Sequence, residues 1–167
     1  RLQPVPGPVH DLVPALVGGH VVGRGIESLQ GARSLGDPGE IALKVGGGVM
    51  TQQYLTRSEA CEACSIGCKR VVKVDEGPFQ VKEGPGPEYE TAAAFGPLLM
   101  NDNMPAVLKL SELANKYGVD SISCGASIAF AMECFEKGVI TSDDLDGDSL
   151  RWGNVDDIFA MFDKIVT

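Results

Sequence analysis

Asn103-Met-Pro-Ala-Val-Leu-Lys-Leu-Ser-Glu-Leu-Ala-Asn-Lys-Tyr-Gly118 sets the class of the fold. Val107, Leu110, Leu113, Ala114 and Tyr117 recur at intervals of three and four. That spacing puts apolar side chains on one stripe of an α-helix. Asn103 or Asp102 supplies the N-cap oxygen, and Pro105 fits the first turn, where its missing N–H costs nothing. Gly118 takes the left-handed conformation that ends a helix. The same grammar recurs downstream. A second helix is expected from Ser121 to Lys137, where Ile122, Ala126, Ala129, Phe130, Met132, Cys134 and Phe135 make it apolar on most sides. It reads as a central helix, stopped by Gly138. Asn154 caps a third, with Val155, Ile158, Phe159, Phe162, Ile165 and Val166 at helical spacing. Between them, Asp143, Asp144, Asp146 and Asp148 crowd a short turn. It lacks the terminal bidentate Glu of a calcium loop, and Gly147 is out of register for the central glycine.

Upstream the signal weakens. Pro4, Pro6 and Pro8 forbid helix at the start. Val9–Val17 has room for a short helix capped by Asp11. Gly18–Gly25 is glycine-rich but lacks phosphate-loop spacing, and His10 and His20 have no ligand partner nearby. Gly46–Gly48 reads as a bend. Val71–Val74 and Phe79–Lys82 flank Asp75-Glu-Gly-Pro, the pattern of a short β-hairpin near residues 71–82. The expectation is a mainly α fold. Residues 1–57 form an irregular Gly/Pro-rich lead-in, 58–100 a cysteine turn and the loop carrying Glu90, and 101–167 the helical part.

Composition narrows the function. A net charge of −9 and a pI near 4.6 exclude a nucleic-acid face, which must be basic. No run of 18 apolar residues spans a membrane, and no signal-peptide pattern opens the chain. Five cysteines without a secretory cue point to a reducing cytoplasm rather than a disulfide framework. The 167 residues suffice for one domain. The chain lacks an initiator Met and stops straight after an apolar helical pattern, so an excised piece of a longer protein is expected.

The chemistry concentrates in Cys61-Glu-Ala-Cys64-Ser-Ile-Gly-Cys68. Three thiols in one short turn can converge on an iron–sulfur cluster or a zinc ion. The plain alternative is three thiols packed as small apolar groups. Ser58 is placed to cap a turn leading into Cys61. Lys69 and Arg70 follow the third thiol, where cations offset the negative charge of a sulfur-ligated centre. A closed site needs a fourth ligand: Cys124 near a helix start, Cys134 in an apolar stripe, or a residue outside the chain. Radical-SAM order, C-x3-C-x2-C, does not match. Downstream, Gly84-Pro-Gly-Pro-Glu88-Tyr-Glu90-Thr fixes an extended approach to a small-residue run. Glu88 and Glu90 favour a helix start, and either suits general acid–base work. Spacing alone favours capping.

Taken together, four segments resemble the tungsten-containing aldehyde:ferredoxin oxidoreductases over about residues 58–140. They are Cys61-x2-Cys64-Ser-Ile-Gly-Cys68-Lys-Arg; Gly86-Pro-Glu-Tyr-Glu90-Thr with Phe95-Gly96; Tyr117-Gly-Val-Asp120-Ser-Ile-Ser; and Ile128-Ala-Phe-Ala-Met-Glu-Cys-Phe-Glu-Lys-Gly138. The likeness is to the family's middle, mainly helical domain. It implies oxidation of aldehydes to carboxylic acids at a tungsten, or molybdenum, held by two pterins. Electrons would leave through a [4Fe-4S] cluster to ferredoxin or a similar acceptor. Cys61, Cys64 and Cys68 match three cluster ligands, the fourth belonging to the family's last domain, so the resemblance removes Cys124 from the ligand set. Glu90 matches the carboxylate facing the tungsten. The family's D-x-x-G-L-D pterin pattern falls on Asn115, Gly118, Val119 and Asp120, with Asn115 replacing the first Asp and Val119 the Leu. The family's catalytic histidine belongs to the last domain, so neither His10 nor His20 takes that role. A cytoplasmic homo-oligomer working with the other domains of its own polypeptide is implied. A stand-alone iron–sulfur or zinc-binding module is the alternative.

Overall fold

The computed structural model describes residues 38–167. The expectations for Pro4, Pro6 and Pro8, Val9–Val17, Gly18–Gly25, His10 and His20 lie outside the described residues. Within them the order is α1 (Pro38–Lys44), α2 (Gly47–Gln53), β1 (Leu55–Glu59), β2 (Lys69–Val74), β3 (Val81–Pro85), α3 (Tyr89–Phe95), α4 (Met104–Tyr117), α5 (Ser121–Glu136) and α6 (Val155–Val166). Short 3-10 turns lie at Pro97–Leu99 and Ser142–Leu145. The fold is mainly α, as expected, with one antiparallel sheet in the order β1-β2-β3.

The long helices follow their caps. The Asn103 side chain accepts from the Ala106 amide at 3.1 Å, and Gly118 ends α4 at φ 71°. The Asp120 carboxylate accepts from the Ser123 amide at 2.7 Å at the head of α5, and Asn154 accepts from the Asp157 amide at 3.0 Å at the head of α6. Between these helices Phe95, Leu99, Leu108, Leu110, Ile128, Met132, Ile158 and Phe162 are fully buried. Each such side chain contributes about 1.5–3 kcal/mol. Phe95 meets Phe162 edge-on, with centroids 6.2 Å apart. Three members of the expected apolar faces, Tyr117, Ile122 and Phe130, are more open than their spacing suggests. Tyr117 reaches Phe162 by an edge contact at 6.4 Å while half its surface stays exposed, and Ile122 of α5 is likewise half-exposed.

Residues 38–57 correct the irregular lead-in. They carry two seven-residue helices and the start of a strand. Helices this short show no hydrophobic period, and they persist by burying single anchors, here Ile41, Val45 and Met50. Strand β1 is a second departure. Leu55-Thr-Arg-Ser-Glu has little apolar content because it is a charged edge strand, with Arg57 reaching Glu59 and Glu83. Ser58 lies inside β1 opposite Arg70, so it caps no turn.

The hairpin forms, two residues later on its second arm than expected. Val71 pairs with Pro85, Val72 with Gly84 and Val74 with Val81. Phe79 leaves the ladder because its ring stacks on Phe159 of α6, with centroids 4.9 Å apart. Gly77, at φ 89°, makes the left-handed step in the turn.

Asp157 ties α6 to the segment before it. Although nearly buried, it accepts from the Arg151 amide at 2.8 Å, from Arg151 Nε at 2.9 Å and from Ser149 Oγ at 3.2 Å. Burial pushes its pKa up, but the hydrogen bonds from Arg151 and Ser149 outweigh that and hold it below the usual carboxylate range. A depressed folded pKa gives stability that is present above the unfolded pKa, about 3.9, and lost as pH falls through the folded value. Asp157→Asn is expected to cost about 1–2 kcal/mol at pH 7, Arg151 being largely exposed. In urea unfolding, the difference from wild type should shrink steadily from pH 4 towards pH 2. A constant difference over that range would remove the carboxylate from the explanation.

Candidate metal centre

The three clustered thiols sit on the loop that joins β1 to β2. Glu59 pairs with Lys69, so residues 60–68 bulge from one end of the sheet. The loop turns tightly twice. The Cys64 amide donates to the Cys61 carbonyl at 3.0 Å, with Ala63 left-handed at φ 58°, and Gly67 is left-handed at φ 63°. A non-glycine residue in that region costs about 1–2 kcal/mol, a strain that collects at functional loops. Cys61 and Cys68 are exposed, Cys64 is half-buried, and all three are free thiols. Among the described residues, no three His, Cys, Asp or Glu side chains are gathered closely enough to hold a metal ion. The donor set itself suits iron and sulfide. It is soft, it is not engaged in disulfides, and it lies on a loop already bent to bring Cys61 and Cys64 to either side of one turn.

The other two cysteines are of a different kind. Cys124 is buried in α5, and desolvation, then the Asp120 charge, push its thiol up to about 12. Cys134 is half-buried and its thiol is also raised, mainly by burial. Cys124 behaves as a small apolar core group. Of the cations after the third thiol, Lys69 lies 3.8 Å from Glu59, and the Arg70 guanidinium lies across Gly47 at the head of α2.

The chain that leads to Glu90 leaves the sheet at the same end. Strand β3 runs antiparallel to β2, so its last residues stand beside the start of β2. The Gly86 amide donates to the Arg70 carbonyl at 2.8 Å, and a Cβ at Gly86 would come within 2.9 Å of Val72. The chain thus passes tightly against β2 two residues after Cys68, then enters α3. Glu88 takes the N-cap position but makes no capping hydrogen bond. Glu90 lies in the first turn of α3, is exposed, and makes no hydrogen bond or ion pair among the described residues. The capping role favoured by spacing is therefore filled by neither carboxylate.

The turn 115–120 comes alongside α3. Thr91 Oγ1 and Ser121 Oγ share a hydrogen bond at 2.7 Å. One turn further on, a Cβ at Gly125 would lie 2.7 Å from the Ala94 carbonyl oxygen. Residue 91 faces 121 and residue 94 faces 125, so α3 and α5 run parallel with their first turns side by side. Glu90 and Asp120 are the residues just before this pair. Asp120 is exposed, and hydrogen bonds from Ser123, hydroxyl first and amide second, hold its carboxyl below the usual range. The Val119 amide donates to the Ala114 carbonyl at 3.0 Å, and Asn115 is exposed on the last turn of α4. Sequence reading missed Thr91, Ser121 and Gly125. A hydroxyl after each acidic residue and a glycine inside a helix were visible signals, but their 30-residue pairing was not.

The family description "Aldehyde ferredoxin oxidoreductase, domains 2 & 3" matches residues 33–167. The chain belongs to this family. It is 39% identical over 127 residues to a tungsten-containing aldehyde ferredoxin oxidoreductase of Thermococcus kodakarensis, covering 75% of the chain and 20% of the relative. The corresponding Pyrococcus furiosus protein is 36% identical over 125 residues, 74% of the chain and 20% of the relative. An aliphatic sulfonate oxidoreductase, WOR-like subunit, of the same organism is 31% identical over 91 residues, 54% of the chain and 14% of the relative. The chain thus spans about a fifth of the length of the tungsten-containing relatives. Among the described residues, no helix is long and apolar enough to cross a membrane.

The contrast among the thiols is directly measurable. In the metal-free protein, iodoacetamide at pH 8 should label Cys61 and Cys68 at least tenfold faster than Cys124, followed by mass spectrometry. Equal rates would mean that Cys124 is not buried as described.

Proposed function

We propose that this segment furnishes three thiolates of a [4Fe-4S] cluster and one proton-handling carboxylate to a tungsten, or molybdenum, bis-pterin enzyme. That enzyme oxidises aldehydes to carboxylic acids and delivers electrons to ferredoxin or a similar acceptor in the cytoplasm. The observation that carries the reading is that the cysteine loop and the chain leading to Glu90 leave the sheet at the same end, in a chain of this family. In the net reaction, an aldehyde and a water become a carboxylic acid, releasing two protons and two electrons. The bound metal–pterin group supplies the two-electron oxidation.

The chain's own residues do the rest. Cys61, Cys64 and Cys68 hold the relay as thiolates, and Lys69 and Arg70 lie next in sequence to offset its charge. A fourth thiolate comes from outside the described residues: Cys124 is buried in the core, and burial raises its thiol and that of half-buried Cys134. Glu90 takes a proton from the attacking water or the aldehyde carbon. Its exposure in this segment and its freedom from capping suit that task, and the first turn of a helix stabilises the carboxylate before transfer. Asn115, Gly118, Val119 and Asp120 form the turn that meets one pterin. A neutral amide at 115 offers a hydrogen bond without charge, and the free backbone groups between two helix ends offer further polar contacts. The relative named for sulfonates shares part of this segment.

In the cofactor-loaded full-length enzyme, Glu90→Gln should lower kcat by about 10²–10⁴-fold with tungsten and iron content unchanged. Cys64→Ser should lower iron content and the ferredoxin-linked rate together. Full activity in Glu90→Gln, or undiminished iron in Cys64→Ser, would contradict the corresponding assignment.

A further inference from the structure

We propose that Thr91 and Ser121 are a positioning pair that holds the Glu90 carboxylate in register with the turn 118–120. The inference rests on the reading of Glu90 and of that turn given above.

Two parallel helices with adjacent N-termini bring like partial charges together, so their dipoles favour separation. Two contacts oppose this. Gly125 lets the α5 backbone sit against the Ala94 carbonyl, where any larger residue meets backbone at 2.7 Å. That contact sets how near the helices come. It does little to stop one helix sliding along the other, because apolar contact is not directional. The 2.7 Å hydroxyl bond is directional and sets the axial register. Both hydroxyls are free for it: Asp120 already caps α5 through the Ser123 amide, which leaves Ser121 without a capping task.

The pair also has short lever arms. Glu90 directly precedes Thr91, and Asp120 directly precedes Ser121. A slide by one residue moves a helix about 1.5 Å. A misplacement of about 1 Å costs on the order of 10²-fold in rate. Loss of the hydroxyl bond therefore reaches the carboxylate and the pterin-facing turn before it reaches the core, which Phe95 and Leu99 anchor from the far end of α3.

The test uses the full-length enzyme with its cofactors bound. Thr91→Val keeps the side-chain shape and removes the hydroxyl, and Ser121→Ala removes its partner. Each is expected to lower kcat about tenfold to a hundredfold, with KM for aldehyde changed by less than about twofold. The double variant should lose no more than the worse single variant, because both remove the same bond. Thr91→Ser and Ser121→Thr, which keep the hydroxyls, should restore the rate. The tungsten(V) paramagnetic resonance spectrum should change in Thr91→Val while tungsten and iron content and the melting temperature stay at wild-type values. Wild-type kcat and spectrum in both single variants would overturn the proposal. Losses that multiply in the double variant, or that follow lost tungsten, would also overturn it. Should Thr91→Val not fold, Ser121→Ala and the two hydroxyl-retaining variants decide the matter. Activity retained in Glu90→Gln would instead bring down the reading of Glu90. An impaired Glu90→Gln beside silent Thr91 and Ser121 variants would bring down only the positioning role.

Discussion

The candidate site depends on a backbone approach. At Gly125 the central helix α5 comes so close to the Ala94 carbonyl that no side chain fits between them. This places α3 and α5 in parallel contact and sets their first turns together. A glycine inside a helix costs about 1 kcal/mol against alanine. Here that cost has a use, because the closeness brings the Glu90 turn beside the 118–120 turn. The sheet supplies the other constraint. Gly86 presses against Val72 while its amide bonds to Arg70, so the chain entering α3 stays against the strand that begins just after Cys68.

Much of this was legible in the residues. The three long helices announce themselves by caps and period, and Asn103, Gly118, Asn154 and Gly138 stand at or next to helix ends. The cysteine spacing and the Gly-Pro approach to Glu90 fall at one end of the sheet. The rest was hidden for physical reasons. α1 and α2 are too short for a period to show. β1 is a charged edge strand whose composition resembles a loop. Phe79 was read as a strand residue because its partner, Phe159, lies 80 positions away. The Thr91–Ser121 bond is of the same kind, a contact between sequence-distant polar residues that carry no pattern of their own.

The five cysteines divide by environment more clearly than by spacing. Burial within α5 makes Cys124 and Cys134 poor thiolates, while Cys61, Cys64 and Cys68 occupy a twice-bent loop at the sheet's end. A loop carrying a left-handed alanine is held in a shape that its own sequence does not prefer, which suits a ligand that completes it. The acidic surface sits elsewhere. Asp146 and Asp148 are paired with Lys164 of α6, and Asp144 folds back on Thr141. Beside the cysteine loop Arg57 and Lys69 are matched by Glu59 and Glu83, and the Arg70 guanidinium lies at Gly47.

The central claim is that the cysteine loop holds an electron relay close to the metal site at which Glu90 handles the proton. Magnetic coupling between the two metal centres of the anaerobically purified full-length enzyme tests this most directly. With the cluster reduced and tungsten poised at the five-valent state, the account expects the tungsten signal to be split or rapidly relaxing, and to revert when the cluster is oxidised. Two signals that ignore each other's oxidation state would contradict it.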